Sequence, residues 1–174
     1  MSRARALAAS LLAALVLLAC GGPSKPVVPA AERRTIQAYA QAVKDLSFEG
    51  GRVLQQEVKP RVSELRDGAV TPAQFGKEAE NWIRVYQDFR RRLGEVERVE
   101  RLDGVATRYD NAFATYVEAF RAFLAASRLS TEEARNQAIT DAVPIAERAD
   151  ERFDLARDAL RKVMRVAGLD PAFL

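Results

Sequence analysis

From residue 31 onward, apolar residues recur every third or fourth position, the period of an amphipathic helix. In the first such stretch, from about Ala31 to Asp67, Ile36, Tyr39, Val43 and Leu46 form one stripe and Leu54, Val58, Val62 and Leu65 a second. Gly50-Gly51 and Pro60 interrupt it. An interior proline removes a backbone donor and crowds the preceding turn, so a kink or break is expected. Asp67-Gly68 ends the stretch. Thr71-Pro72-Ala73-Gln74 opens the second, with Thr71 as cap, Pro72 at the first helical position and Gln74 completing a capping box. Its inner face is Phe75, Ala79, Trp82, Tyr86, Phe89 and Leu93, and Gly94 lies near its end.

The third stretch begins near Leu102–Val105 and reaches about Arg128. It carries Tyr109, Phe113, Tyr116, Phe120 and Phe123 on one stripe with few charges, so it should be the most buried helix. Ser130-Thr-Glu-Glu133 predicts a second capping box, opening a long fourth stretch that ends at Gly168. The predicted inner face is Ala138, Ala142, Ala146, Ala149, Phe153, Ala156, Leu160 and Val163, with a bend at Pro144. Glu132 and Glu133 at its start, and Arg161, Lys162 and Arg165 near its end, complement the helix dipole. Short connections between four such stretches predict an all-α fold: an antiparallel four-helix bundle over residues 31–168, its first and fourth helices kinked, with 169–174 as a C-terminal tail.

The N-terminus reads differently. Arg3 and Arg5 precede an uncharged, mostly Ala/Leu run from Ala6 to Ala19. That run falls short of the ~20 residues needed to span a bilayer core. A basic start, a short apolar run and a small residue at its end describe a secretory signal. The run closes on Leu17-Leu18-Ala19-Cys20, followed by Gly21-Gly22, and Cys20 is the only cysteine of the chain. This segment resembles the lipobox of bacterial lipoproteins. The resemblance implies cleavage before Cys20, so that 1–19 is a lipoprotein signal peptide, and acylation of Cys20, which would anchor the protein to a membrane. Two or three acyl chains, at about 0.8 kcal/mol per buried CH₂, make stable anchorage. A structural cysteine beside an ordinary cleaved signal, or an uncleaved anchor helix, is the alternative. Gly21 after the cysteine resembles the default signal for the outer membrane in a two-membrane host. In a single-membrane host the domain would face outward from the cytoplasmic membrane. Residues 20–30, rich in Gly and Pro, read as the lipidated cysteine and a flexible tether.

Charge and composition narrow the chemistry. The net charge of +3 falls to +1 once residues 1–19 are gone, leaving 25 basic against 24 acidic residues. That balance gives no electrostatic basis for nucleic-acid binding. With no histidine, the commonest proton-transfer group is missing and the Glu-x-x-His pairs of di-iron bundles cannot occur. No catalytic constellation, metal site or cofactor is expected. Gly50-Gly51 reads as a kink or a close helix crossing, with a hinge or ligand notch as the alternative. Arg90-Arg91-Arg92 reads as a solvated face, or as a contact for anionic headgroups.

Nine of the thirteen aromatic residues fall on the second and third stretches. Ordinary core packing is one reading. A groove between those two helices is the other, with Trp82, Tyr86, Phe89, Tyr116 and Phe120 as its face and Trp82, Tyr86 and Tyr116 at its rim. The expected function is therefore a non-enzymatic, membrane-anchored binding or scaffold module for an envelope protein, or a carrier or sensor of an apolar ligand. Replacing Cys20 with Ala should move the protein from the membrane fraction to the soluble one. Unchanged membrane association on fractionation would refute lipidation at that residue.

Overall fold

The computed structural model describes residues 28–174. The expected signal peptide, Cys20 and the expected tether as far as Val27 lie outside them. The described chain is a bundle of α-helices with no strand. A first rod comprises α1 (Ala30–Val53), a π-helical turn (Leu54–Val58) and α2 (Lys59–Arg66). It is followed by α3 (Pro72–Glu95), α4 (Glu100–Ser127), α5 (Glu132–Val166) and a 3₁₀ turn at Pro171–Phe173. The bundle starts earlier than residue 31, because Val28 is buried in the core. The C-terminal tail, 169–174, folds back onto the bundle. Leu169, Phe173 and Leu174 pack against the core, and the Lys44 ammonium sits 4.2 Å from the Phe173 ring centre.

The first rod does not break where Gly50-Gly51 and Pro60 suggested. Both glycines lie within α1, and the irregularity is the π turn between them and the proline. The Lys59 N–H donates to the Leu54 carbonyl, one residue further back than in an α-helix, and Pro60 has no N–H to give. The extra residue preserves the buried face. The stripe of α1 runs through Ile36, Tyr39, Val43, Leu46, Gly50 and Val53. Continued with α-helical spacing, it would turn Glu57, Arg61 and Glu64 inward. The π turn advances the phase by one residue, so the buried positions become Val58 and Leu65.

Thr71 caps α3 with the reciprocal bonds of a capping box. At α5 the cap is Thr131, one residue later than expected, and its side chain accepts from the Ala134 N–H without a reciprocal glutamate bond. Gly68 and Gly168 both end helices with φ near +70°, a backbone conformation that side chains disfavour. α5 runs through Pro144 as one helix. Its most buried positions are Ile139, Ala142, Ala149, Ala156, Leu160 and Met164, while Ala138, Ala146, Phe153 and Val163 are only partly covered. Ile139 and Met164 belong to a face rotated slightly from the one the alanines marked.

α4 is the axis of the bundle, packed along α3 on one side and α5 on the other, and it buries more of its residues than any other helix described. Its C-terminal end lies close to α3 because position 76 has no side chain. A Cβ there would sit 2.9 Å from the Ser127 Oγ, which itself donates to the Leu124 carbonyl at 2.7 Å. Gly76→Ala should therefore destabilise the fold by about 1 kcal/mol in urea unfolding, despite the better helix propensity of alanine. In a Ser127→Ala background the same substitution should become neutral or stabilising, and the absence of that reversal would refute the steric account.

Candidate functional site

The space between α3 and α4 is filled by their own rings. The centroid of Tyr86 lies 5.0 Å from those of both Tyr116 and Phe120, Trp82 lies 5.9 Å from Phe120, and Phe89 lies 5.8 Å from Phe113. These are ordinary edge and tilted aromatic contacts. Trp82, Phe89 and Phe120 are buried in the core, and the buried Trp82 also borders a separate hollow between the first rod and α3 with Gln56, Arg61 and Glu78. The groove expected between the second and third stretches is thus occupied by the residues proposed to line it.

An opening lies elsewhere, along the seam between the first rod and α5. Two hollows of about 300 and 370 Å³ share Leu54, Gln55, Tyr116 and Asp150, and together they form one groove over the π turn. The first reaches up α1 to Leu46 and Ser47, and the second reaches down α2 to Val62. Its floor combines aliphatic side chains of the rod with Phe113, Tyr116, Phe120 and Phe123 of α4. Of the expected face, Tyr86, Tyr116 and Phe120 border this groove, whereas Phe89 does not.

The seam stays open because the rod is tied mainly to the other side. The Tyr86 hydroxyl donates to the Gly50 carbonyl at 3.0 Å, Arg92 pairs with Glu49 at 2.9 Å, and Arg61 of α2 pairs with Glu78 at 2.9 Å. Arg101, at the start of α4, pairs with Glu32 at 2.5 Å. Toward α5, the polar tie among the described residues is Arg66 to Thr140 at 3.2 Å. Gly50 makes the close approach to α3 possible, since a Cβ there would lie 3.3 Å from the Tyr86 hydroxyl. Gly51 faces open space and lines the groove. The glycine pair therefore divides its roles, one a close crossing and the other a notch.

The groove's charged groups are unevenly placed. Glu147, Asp150 and Asp154 stand on the α5 lip. Asp154 pairs with Arg157 at 2.6 Å, and Asp150 accepts a hydrogen bond from the Tyr116 hydroxyl. On the rod's lip the one charged residue is Lys59. In isolation these acids resemble a solvated helix face. Their spacing beside the apolar stripe of α5 was the available signal for a lip. The basic run at 90–92 is consumed internally: Arg90 pairs with Asp110 at 2.7 Å, Arg91 with Asp88 and Glu95 at 2.6 and 2.8 Å, and Arg92 with Glu49. It does not present three free cations to an anionic surface.

Among the described residues no group of three or more acidic side chains is placed to hold a metal ion, and no helix is long and apolar enough to cross a membrane. Comparison of the chain with family models, with curated proteins and with solved structures found no match.

All four tyrosines are buried, and burial is the largest cause raising each hydroxyl's pKa above its usual value of 10.0. The nearby Asp150 carboxylate adds to the shift at Tyr86, and at Tyr116 it does so also by accepting the hydrogen bond. The folded pKa values lie above those of the unfolded chain. The stability they contribute is therefore complete below about pH 10 and lost as pH rises beyond it, by about 1.4 kcal/mol per pH unit for each tyrosine. Tyrosinate absorbance should appear only together with cooperative loss of helical circular dichroism. Titration of any of the four phenols near pH 10 in a still-folded protein would contradict this.

Proposed function

We propose that the protein is a membrane-anchored envelope lipoprotein whose helical domain is a non-enzymatic binding or scaffold module, and that it engages an envelope protein through the groove between the first rod and α5. Acyl chains on Cys20 would hold the domain at the membrane surface, and the residues between Cys20 and Val28 would give it reach. In a two-membrane host the anchor would lie in the outer membrane, with the domain on its periplasmic face.

The observation that carries this reading is the groove itself. Apolar rings and aliphatic side chains floor an open channel between two helices, and polar and acidic residues edge it. That is the anatomy of a site that takes an apolar face of a partner. The polar groups on its walls serve structure. The Tyr86 hydroxyl is committed to Gly50 and that of Tyr116 to Asp150. A carrier of a small apolar ligand would find the same apolar floor in this groove.

Gly51 gives a clean test, because a side chain there meets nothing within 4 Å of its Cβ and would extend into the groove. Gly51→Leu should leave the melting temperature unchanged or raise it, glycine being the poorer helix former by about 1 kcal/mol. Crosslinking in intact cells followed by affinity capture should recover a protein partner with the parent chain and at least fivefold less with the variant. Equal recovery at equal expression would refute the groove as the binding site.

A further inference from the structure

We infer that the segment held by this groove is a helix whose edge carries Lys or Arg at one-turn spacing. This rests on the binding-module reading above and goes on to name the chemistry of the partner.

The α5 lip is a row, not a scatter. Glu147, Asp150 and Asp154 follow one another at three and four residues, so they stack along one face of the helix at roughly 5–6 Å steps. All three border the hollows. Glu147 and Asp150 form no ion pair among the described residues, and the nearest basic residue on that lip, Arg157, is already paired with Asp154. The neighbouring Arg152 of α5 reaches away from the groove to the Thr115 hydroxyl on α4, at 2.6 Å. Two uncompensated carboxylates therefore edge an apolar channel, faced across it by the single Lys59. A negative lip favours a positive partner and penalises a negative one.

Length and shape favour a helix over a single-headed amphiphile. From Leu46 to Val62 the rod advances about 24 Å at 1.5 Å per residue, some four turns. A helix of that length with apolar residues at i, i+3/i+4 and i+7 would seat successive side chains in the two hollows, and its flanking cations would meet successive acids. A fatty acid or anionic phospholipid would bring its charge against the carboxylate row. A one-headed cation would use one acid and leave the other uncompensated.

The test places a photoreactive residue at Gln55, an exposed position on the rod's lip, in the full chain, and irradiates intact cells. The adduct should be a protein, and the crosslinked peptide should read as an amphipathic helix with basic residues beside its apolar stripe. Pairing Glu147→Lys with Asp150→Asn keeps an acceptor for the Tyr116 hydroxyl and should cut the adduct yield at least fivefold. The same charge change made at Glu118→Lys and Glu133→Gln, both exposed and away from the groove, should leave it unaltered. A protein adduct lacking basic residues, or a yield indifferent to Glu147 and Asp150, would overturn the charge inference and leave the binding module standing. A lipid adduct, or none, would overturn both. The sequence of the adduct is read with the parent chain, so this outcome does not depend on whether the variants fold.

Discussion

The interdigitated rings of α3 and α4 are the constraint from which the rest of this molecule follows. Tyr86 alone touches Phe89, Phe113, Tyr116 and Phe120 at centroid distances of 5.0 to 6.1 Å. A fully buried aromatic side chain contributes roughly 2–3 kcal/mol of hydrophobic stabilisation. Several of them along one seam fix the register of the two helices. With that pair fixed, α5 closes against α4 through small residues, Ala142, Ala149 and Ala156, which let the two helices approach closely. The first rod is held against this pair at Gly50, whose carbonyl accepts from the Tyr86 hydroxyl.

That placement explains both the π turn and the groove. Because Gly50 and the pairs at Glu49 and Glu78 fasten the rod to α3, its buried stripe must continue toward the core on both sides of the turn. A regular helix would have carried Glu57, Arg61 and Glu64 into the apolar core in place of Val58 and Leu65, and burying charges there costs far more than one irregular turn. The extra residue resolves the conflict. The side of the rod turned toward α5 is left with few ties, and its half-buried Leu54 and Val62 become the wall of an open channel.

Much of the architecture was legible in the chain. The four stripes, the Thr71 capping box, the helix ends at Gly68 and Gly168 and the burial of the third stretch all follow from local chemistry that repeats with the helical period. The departures from expectation are of phase and of pairing. Gly50-Gly51 and Pro60 suggested a kink or break in the first stretch; the irregularity is instead a π turn at Leu54–Val58, which shifts the buried face by one residue within a continuous rod. Aromatics on two successive stretches suggested a groove between them. Whether rings on facing helices leave space or fill it depends on their crossing, and these fill it.

Local chemistry along the chain was enough to set four helical stretches, where most of them begin and end, and the complete lack of histidine chemistry. Those properties are carried by residues within a turn or two of one another. Folding in three dimensions had to settle which helices share the aromatic core, that Gly50 and not Gly51 meets a neighbouring helix, and that acids on α5 stand beside apolar side chains of a helix far earlier in the chain. Such contacts depend on how ridges of distant helices interlock, and no local period encodes that.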